Sequence, residues 1–281
     1  MELKREAVSE SIGYLIIFGL ILSGIGLITL YGYPLLMQQQ SSANMRNMEQ
    51  SMIVLQNDIK SLTYKLANYK ETSLRVSGGT LSVYPFTVTC QTFWIQTIPN
   101  SPVNALLPPF TPGELRYFST NDDTVITIEN GAVIEKPLTT NGSFMLADPR
   151  WYLDNSSNRR TLVVNLMNLS TISSSGPTLS ETGVGNVRMR LARTNMTTSP
   201  TDFGPLGSGY TISITYSPNN NQTVTPDGYG FAWMNYMTNP NNFEGKMTCA
   251  GNPLRAQTLV CQIPDIQNIV VKEYDVVVES V

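Results

Sequence analysis

The pattern of apolar and polar positions changes character twice along the chain. From Ile12 to Met37 no charged residue occurs. About 26 residues in a helix rising about 1.5 Å each span roughly 39 Å, more than the ~30 Å hydrocarbon layer of a bilayer, so the run predicts a membrane-spanning helix. A cleaved secretory signal has an apolar core of about 7–15 residues and then a small-residue site. This run is longer, and no such site follows it. Lys4 and Arg5 precede it with no basic cluster just after, which predicts a cytoplasmic N-terminus and an exterior position beyond about residue 38. Gly13, Gly19, Gly24, Gly26 and Gly32 lie inside the run. Two explanations fit them: close approach of neighbouring helices, or the higher glycine content of membrane helices in general. Pro34 predicts a bend or a local loss of helical hydrogen bonding.

The next stretch, "SSANMRNMEQSMIVLQNDIKSLTYKLANYK", has no Gly or Pro and is rich in helix formers. Its apolar residues Met45, Met48, Met52, Leu55, Ile59, Leu62, Leu66 and Tyr69 alternate strictly in steps of three and four. That is a seam repeating every 3.5 residues. Arg46, Glu49, Asp58, Lys60 and Lys65 lie off the seam, as a solvated face requires. Two partners fit such a seam: the chain's own distal domain, or copies of the same helix in a filament core or small bundle. Our expectation is the second. Glu10 to about Tyr69 reads as one helix of roughly 90 Å, bent at Pro34.

After Lys70 the period changes to two. "SLRVSGGTLSVY" predicts a hairpin at Gly78-Gly79, and "DTVITIENGAVIEK" predicts one at Asn130-Gly131. In "YTISITY", Tyr210, Ile212, Ile214 and Tyr216 share one face. In "VRMRLAR", Val187, Met189 and Leu191 point inward, with Arg188 and Arg190 outward. "TLVVNLM", "TLVCQI" and "NIVVKEYDVVVES" read as further strands. With no convincing helix in this region, the fold class is α+β: a long N-terminal transmembrane and coiled-coil-like helix, then an all-β, sandwich-like extracellular domain over 71–281. "STISSSGPTLSETGVG" is either a seam between two β units or a long surface loop.

Composition removes whole classes of chemistry. The chain has no histidine, so every imidazole-based triad, acid–base pair or metal site is excluded. Three cysteines, Cys90, Cys249 and Cys261, are too few for a Cys-rich zinc site or a disulfide-dense scaffold. A Cys249–Cys261 bridge across a strand-turn-strand is geometrically reasonable, and the spacing leaves open whether it forms. If it does, Cys90 is left as a buried thiol. Charged residues are 14% of the chain and the net charge is −3, which gives no footprint for nucleic acid. No phosphate loop or HExxH occurs. Asp122, Asp123 and Glu129 lie close in sequence, but carboxylates on a hairpin are ordinarily solvent-facing, and "NDD" lacks the spacing of a calcium loop. We expect no catalytic set, metal or cofactor. Arg188 and Arg190 read as solvated strand charges, and Trp151 and Trp233 as core residues. Five sequons, at Asn141, Asn155, Asn168, Asn195 and Asn221, are candidate glycosylation sites on the exterior side.

Arg5-Glu6-Ala7 followed by Val8-Ser9 resembles the processing site of archaeal type IV pilin-like proteins, and the "AVSESIG" that opens the span resembles the same group. The resemblance implies a cut by a prepilin peptidase between Ala7 and Val8. A leader of residues 1–7 is then lost, and the helix of 8–70 (span about 12–37, stem 45–69) stays on the mature protein. It also implies self-assembly through that helix with a pilus assembly machinery. In bacterial pilins a carboxylate near the mature N-terminus pairs with the neighbouring subunit's amine. Here Glu10 takes third place, not the fifth it has there, and a carboxylate in the headgroup zone is the plainer account of it. The resemblance leads us to expect a pilin-like surface filament subunit whose β domain makes surface contacts. The alternative is a single-pass anchored ectodomain that does not polymerise.

Overall fold

The structure is a computed structural model describing residues 3–65, 67–86, 91–98, 108–140, 142–156, 159–172, 179–198, 209–218, 228–251 and 258–281. The chain forms two compact units, Met1–Arg46 and Asn47–Val281.

The first unit is helical. Helix α1 (Leu3–Leu27) leads through a π turn (Ile28–Gly32) into α2 (Tyr33–Tyr64), whose later turns belong to the second unit. Pro34 has no N–H for the carbonyl four residues before it. Just ahead of it the ladder widens by one residue, and the Tyr33 N–H bonds the Ile28 carbonyl. The disturbance expected at Pro34 therefore takes the form of a changed hydrogen-bond pattern. The helix also stops earlier than the heptads suggest. The Lys65 and Ala67 N–H groups turn back to the Ser61 carbonyl at 3.1 and 3.5 Å, and Tyr69 opens a strand. Leu66 lies outside the described residues.

The second unit holds strands β1 (Tyr69–Tyr84), β2 (Thr92–Ile98), β3 (Glu114–Ser119), β4 (Thr124–Glu129), β5 (Ala132–Pro137), β6 (Phe144–Ala147), β7 (Tyr152–Ser156), β8 (Arg159–Thr171), β9 (Ser180–Thr198), β10 (Tyr210–Ser217), β11 (Thr248–Ala250), β12 (Leu259–Ile266) and β13 (Asn268–Ser280). They make a nine-stranded sheet, ordered β6-β5-β4-β3-β1-β9-β13-β8-β7, and a four-stranded sheet, ordered β11-β12-β10-β2. The pair β8–β13 is parallel, and the other pairs in both sheets are antiparallel. One core joins the sheets: Phe93, Ile95, Ile212, Ile214 and Tyr216 from the small sheet meet Ile134, Leu162, Val164, Leu166 and Val271 from the large one. The fold class expected from the pattern is the one found. The β strands form one compact unit, and "SETGVG" (180–185) is part of β9, so no domain seam lies there.

Two local readings are corrected. Asn130 (φ 48°) and Gly131 (φ 78°) do form the β4–β5 turn, but Gly78-Gly79 forms no hairpin. Strand β1 continues through both, with an irregularity at Gly78 (φ 72°) where its register against β9 shifts between Val76 and Leu81. Gly79 faces Ser119 of β3, and a Cβ there would stand 2.1 Å from the Phe118 carbonyl oxygen. The glycine answers a close approach of two backbones inside a strand, not a turn.

The second correction is a helix, α3 (Gly230–Thr238), which the sequence reading missed. Its buried side chains Ala232, Trp233, Tyr236 and Met237, with Tyr229 at its N-cap, recur at intervals of three and four along one helix face. That period was legible and was masked by weak helix formers in "YGFAWMNYMT". Ser143 Oγ accepts the Ala232 N–H at 3.0 Å, satisfying one orphan donor of the first turn.

Candidate functional site

The surface feature that stands out is the apolar rod. Large side chains from Ile12 to Met37 are exposed, among them Leu20 at 72%, Leu30 at 72% and Tyr31 at 74%. Among the described residues one helix is long and apolar enough to cross a membrane, and none of its most apolar stretch is buried within the chain. Leaving such side chains in water costs about 1.5–3 kcal/mol each. The expected processing residues Ala7 and Val8, and Glu10 with them, lie on helix α1.

The heptad residues of the second unit have a different fate. Met48, Met52, Leu55, Ile59 and Leu62 are each at most 1% exposed, covered by the chain's own large sheet. Gln56 (1% exposed) and Thr63 (2%) join them. The Gln56 amide donates to the carbonyls of Gly131 at 2.6 Å and Asp148 at 3.1 Å. The Tyr64 ring meets Tyr274 of β13 edge-on at 5.5 Å, and Thr72 of β1 donates to the Asp58 carboxylate. The buried stripe is thus wider than an a/d seam, as helix-on-sheet packing demands. The expectation that these positions contact sister subunits is overturned for Met48 to Leu62, because sheet residues already fill that face. Tyr69 falls on β1 opposite Arg190, and Met45 belongs to the first unit.

Sequence reasoning also missed a buried polar cluster. The register of β3 on β4 sets Glu114 opposite Glu129 and Arg116 opposite Thr127, while β5 adds Lys136. All are at most 5% exposed. Glu114 collects the donors: the Arg116 guanidinium, the Tyr229 hydroxyl at 2.8 Å and the Thr127 hydroxyl at 3.1 Å. Lys136 donates to the Gly228 carbonyl at 3.0 Å, and the Arg116 guanidinium lies 4.4 Å over the Tyr84 ring. Glu129 has no hydrogen-bond partner for either oxygen within 3.5 Å. Burial, and then the neighbouring Glu114, push its pKa well above the usual carboxylate range, against weaker opposition from the Trp233 indole and Arg116. Glu114, Arg116, Thr127 and Glu129 face one another in a closed interior, and Lys136, at the other end of β4, ties β5 to Gly228 just before α3. Asp122 and Asp123, by contrast, sit in the β3–β4 turn at the far end of β4, with Asp122 bonded to Ser119. The three carboxylates close in sequence do not converge. Among the described residues no group of three or more His, Cys, Asp or Glu is placed to hold a metal.

Trp151 and Trp233 are core residues, 4% and 0% exposed, and both pack on Phe93. Arg188 and Arg190 are exposed and pair with Glu71 at 3.2 Å and Glu279 at 2.7 Å. Cys249 and Cys261 face each other across β11 and β12 and form a disulfide; Cys90 lies outside the described residues. Of the sequons, Asn155 and Asn195 are exposed on β7 and β9, and the Asn155 amide nitrogen donates to Glu244 at 3.1 Å. Asn168 is half-buried on β8, and its amide nitrogen, the atom a glycan would need, donates to Asp275 at 3.2 Å. Asn141 and Asn221 lie outside the described residues.

An open groove of about 610 Å³ separates the last turns of α2 from Pro149 and Arg150, lined by Asn57, Lys60, Tyr64 and Lys65. Burial lowers the Lys60 pKa; Asp148 opposes that shift and Arg150 adds to it.

No characterised protein and no solved structure matches this chain. A family model covers residues 6–279, the helix and the β unit together. The chain belongs to a family of unknown function, DUF7289.

Proposed function

We propose that the protein is a pilin-like, cell-surface structural subunit of a type IV pilus-like filament. The observation that carries this reading is the uncovered apolar helix from Ile12 to Met37. It follows a leader-like Arg5-Glu6-Ala7-Val8 and precedes a stem fixed on a β unit. Such a rod has two shelters, the bilayer and its own copies. The subunit waits in the membrane as a single span with the β unit outside, and it leaves the lipid only as sister rods bury the same surface. The mechanism is assembly, not turnover, and it needs no cofactor and no nucleic acid. Its partners are copies of itself, the membrane, a prepilin peptidase and the assembly machinery.

The helix is divided between two tasks. The stem from Met48 to Leu62 is occupied by its own sheet, so contacts between subunits fall on the apolar run. Asn195 is the described sequon best placed to carry a glycan, and the β unit makes the outer surface contacts.

The test is the intact mass of the native protein together with imaging of sheared surface fractions. A mature chain beginning at Val8, found in fibres, is the expected result. A lipid-embedded monomer that keeps residues 1–7 refutes the filament and leaves an anchored, non-polymerising ectodomain.

A further inference from the structure

The outer face of the small sheet differs in chemistry from the exposed rows of the large one. In β2, Phe93 and Ile95 point into the core, so Trp94, Gln96 and Ile98 point outward. The register places Trp94 beside Thr215, and Gln96 in a row with Ser213, Gln262 and Thr248 across four strands. None of the outward positions in this register is charged. On the large sheet the exposed rows carry ion pairs, Arg188–Glu71, Arg190–Glu279 and Arg193–Asp275. Trp94 and Ile98 are each 38% exposed, large apolar side chains open to solvent on an uncharged face. Among the described residues, the side chains of Gln96, Thr215, Gln262 and Thr248 make no hydrogen bond. Their donors and acceptors are free for a ligand.

We propose that this face binds a neutral polysaccharide, with Trp94 as its stacking platform. A pyranose ring has an apolar C–H face that lies flat on an indole. Its rim of hydroxyls both donates and accepts, as do amide and hydroxyl side chains. Gln96, Thr215 and Gln262 flank the indole in two rows about 6.8 Å apart along the strands, on strands about 4.8 Å apart. Binding a neutral sugar here strips no ion of its water, whereas an anionic polymer would find no counter-charge. The footprint also argues against a second copy of the chain. Four strands span about 14 Å and the outward rows about 20 Å, roughly 300 Å², against about 800 Å² per partner in a standard stable interface. A single polysaccharide strand fits that area. The assignment does not depend on whether the apolar helix polymerises.

The experiment uses the full chain in a polyoxyethylene detergent, which has no sugar headgroup, incubated with insoluble cellulose, insoluble curdlan and, as the anionic control, calcium alginate beads. The wild-type chain is expected on at least one of the neutral glucans and not on alginate. Trp94→Ala weakens that retention at least tenfold, and Gln96→Ala with Gln262→Ala weakens it several-fold. Arg188→Ala, on the large sheet, leaves it unchanged. The unfolding midpoint of the W94A chain is measured alongside, so that a loss of retention is read only from chain that is still folded. The proposal is overturned if the wild type ignores both glucans, if it binds alginate equally well, or if the W94A chain is retained like the parent. It is also overturned if Trp94→Ala changes only the sedimentation of the particle, which would make this face a self-contact.

Discussion

Glu129 is a carboxyl group inside a core of tyrosine, tryptophan and isoleucine, and its two oxygens lack hydrogen-bond partners. With Glu114 opposite it, ionising both would place two negative charges face to face, and burial already disfavours the second. The folded chain therefore holds a proton at Glu129 that the unfolded chain releases above the ordinary glutamate pKa of 4.5. More protons bound in the native state means that stability is full below that pH and declines as pH rises toward the folded-state pKa. The slope contributed is at most about 1.4 kcal/mol per pH unit. Glu129→Gln keeps the neutral shape and removes the proton linkage. Urea unfolding from pH 5 to pH 9 should show a flatter profile for the variant and a stability gain at the alkaline end. Parallel profiles would mean that Glu129 is not the proton-holding group. Arg116 is the opposite case, because Arg116→Met leaves Glu114 buried without its cation. The expected loss is about 3–5 kcal/mol, read from the same titration at pH 7.

At the scale of elements, the stem helix and the disulfide are the features most open to test. Leu55 is fully buried beneath the sheet, so Leu55→Ala should cost the β unit about 2–5 kcal/mol. A helix seam that instead faced sister subunits would leave unfolding of the dispersed chain unchanged by that substitution. Cys249→Ser with Cys261→Ser removes a bridge between positions 12 apart in sequence, and a loss of about 3 kcal/mol is expected in chemical denaturation.

The same elements mark how far the sequence could be read. Asn130-Gly131 was legible because a turn with two positive φ angles needs those residue types locally. Gly78-Gly79 was not, because what fixes Gly79 is the Phe118 carbonyl of a strand some forty residues away. The 3.5-residue repeat revealed the buried side of the stem but not its partner. Gln56 and Thr63 settle that by widening the stripe, and a polar residue is invisible to a hydrophobic count. Glu129 reads as a solvent-facing hairpin carboxylate until the small sheet and Tyr229 close over it, and nothing local marks Glu114 or Lys136 as buried. The parallel β8–β13 pair and the outward Trp94 also depend on which strands meet, a long-range choice that local pattern does not encode.

At the scale of the molecule, one continuous run of sequence from Ile12 to Leu62 serves two environments. From Ile12 to Met37 the run is uncharged and its large side chains are exposed, whereas Met48, Met52, Leu55, Ile59 and Leu62 are buried in the β unit. The apolar run and the buried stem residues lie in different compact units, so substitutions in them should act independently. A charge in the middle of the apolar run, Leu20→Arg, costs about 2.5–3.5 kcal/mol of insertion free energy. It should shift the protein out of the membrane fraction and abolish fibres while leaving the denaturation midpoint of the β unit where it was. Leu55→Ala should do the reverse, lowering that midpoint while the protein stays with the membrane. Membrane fractionation and urea denaturation of both variants, side by side, decide the matter. If Leu20→Arg lowers the stability of the β unit, or Leu55→Ala releases the chain from the membrane, the division of labour along this helix is wrong. The assembly reading would then have to place contacts between subunits on the stem after all.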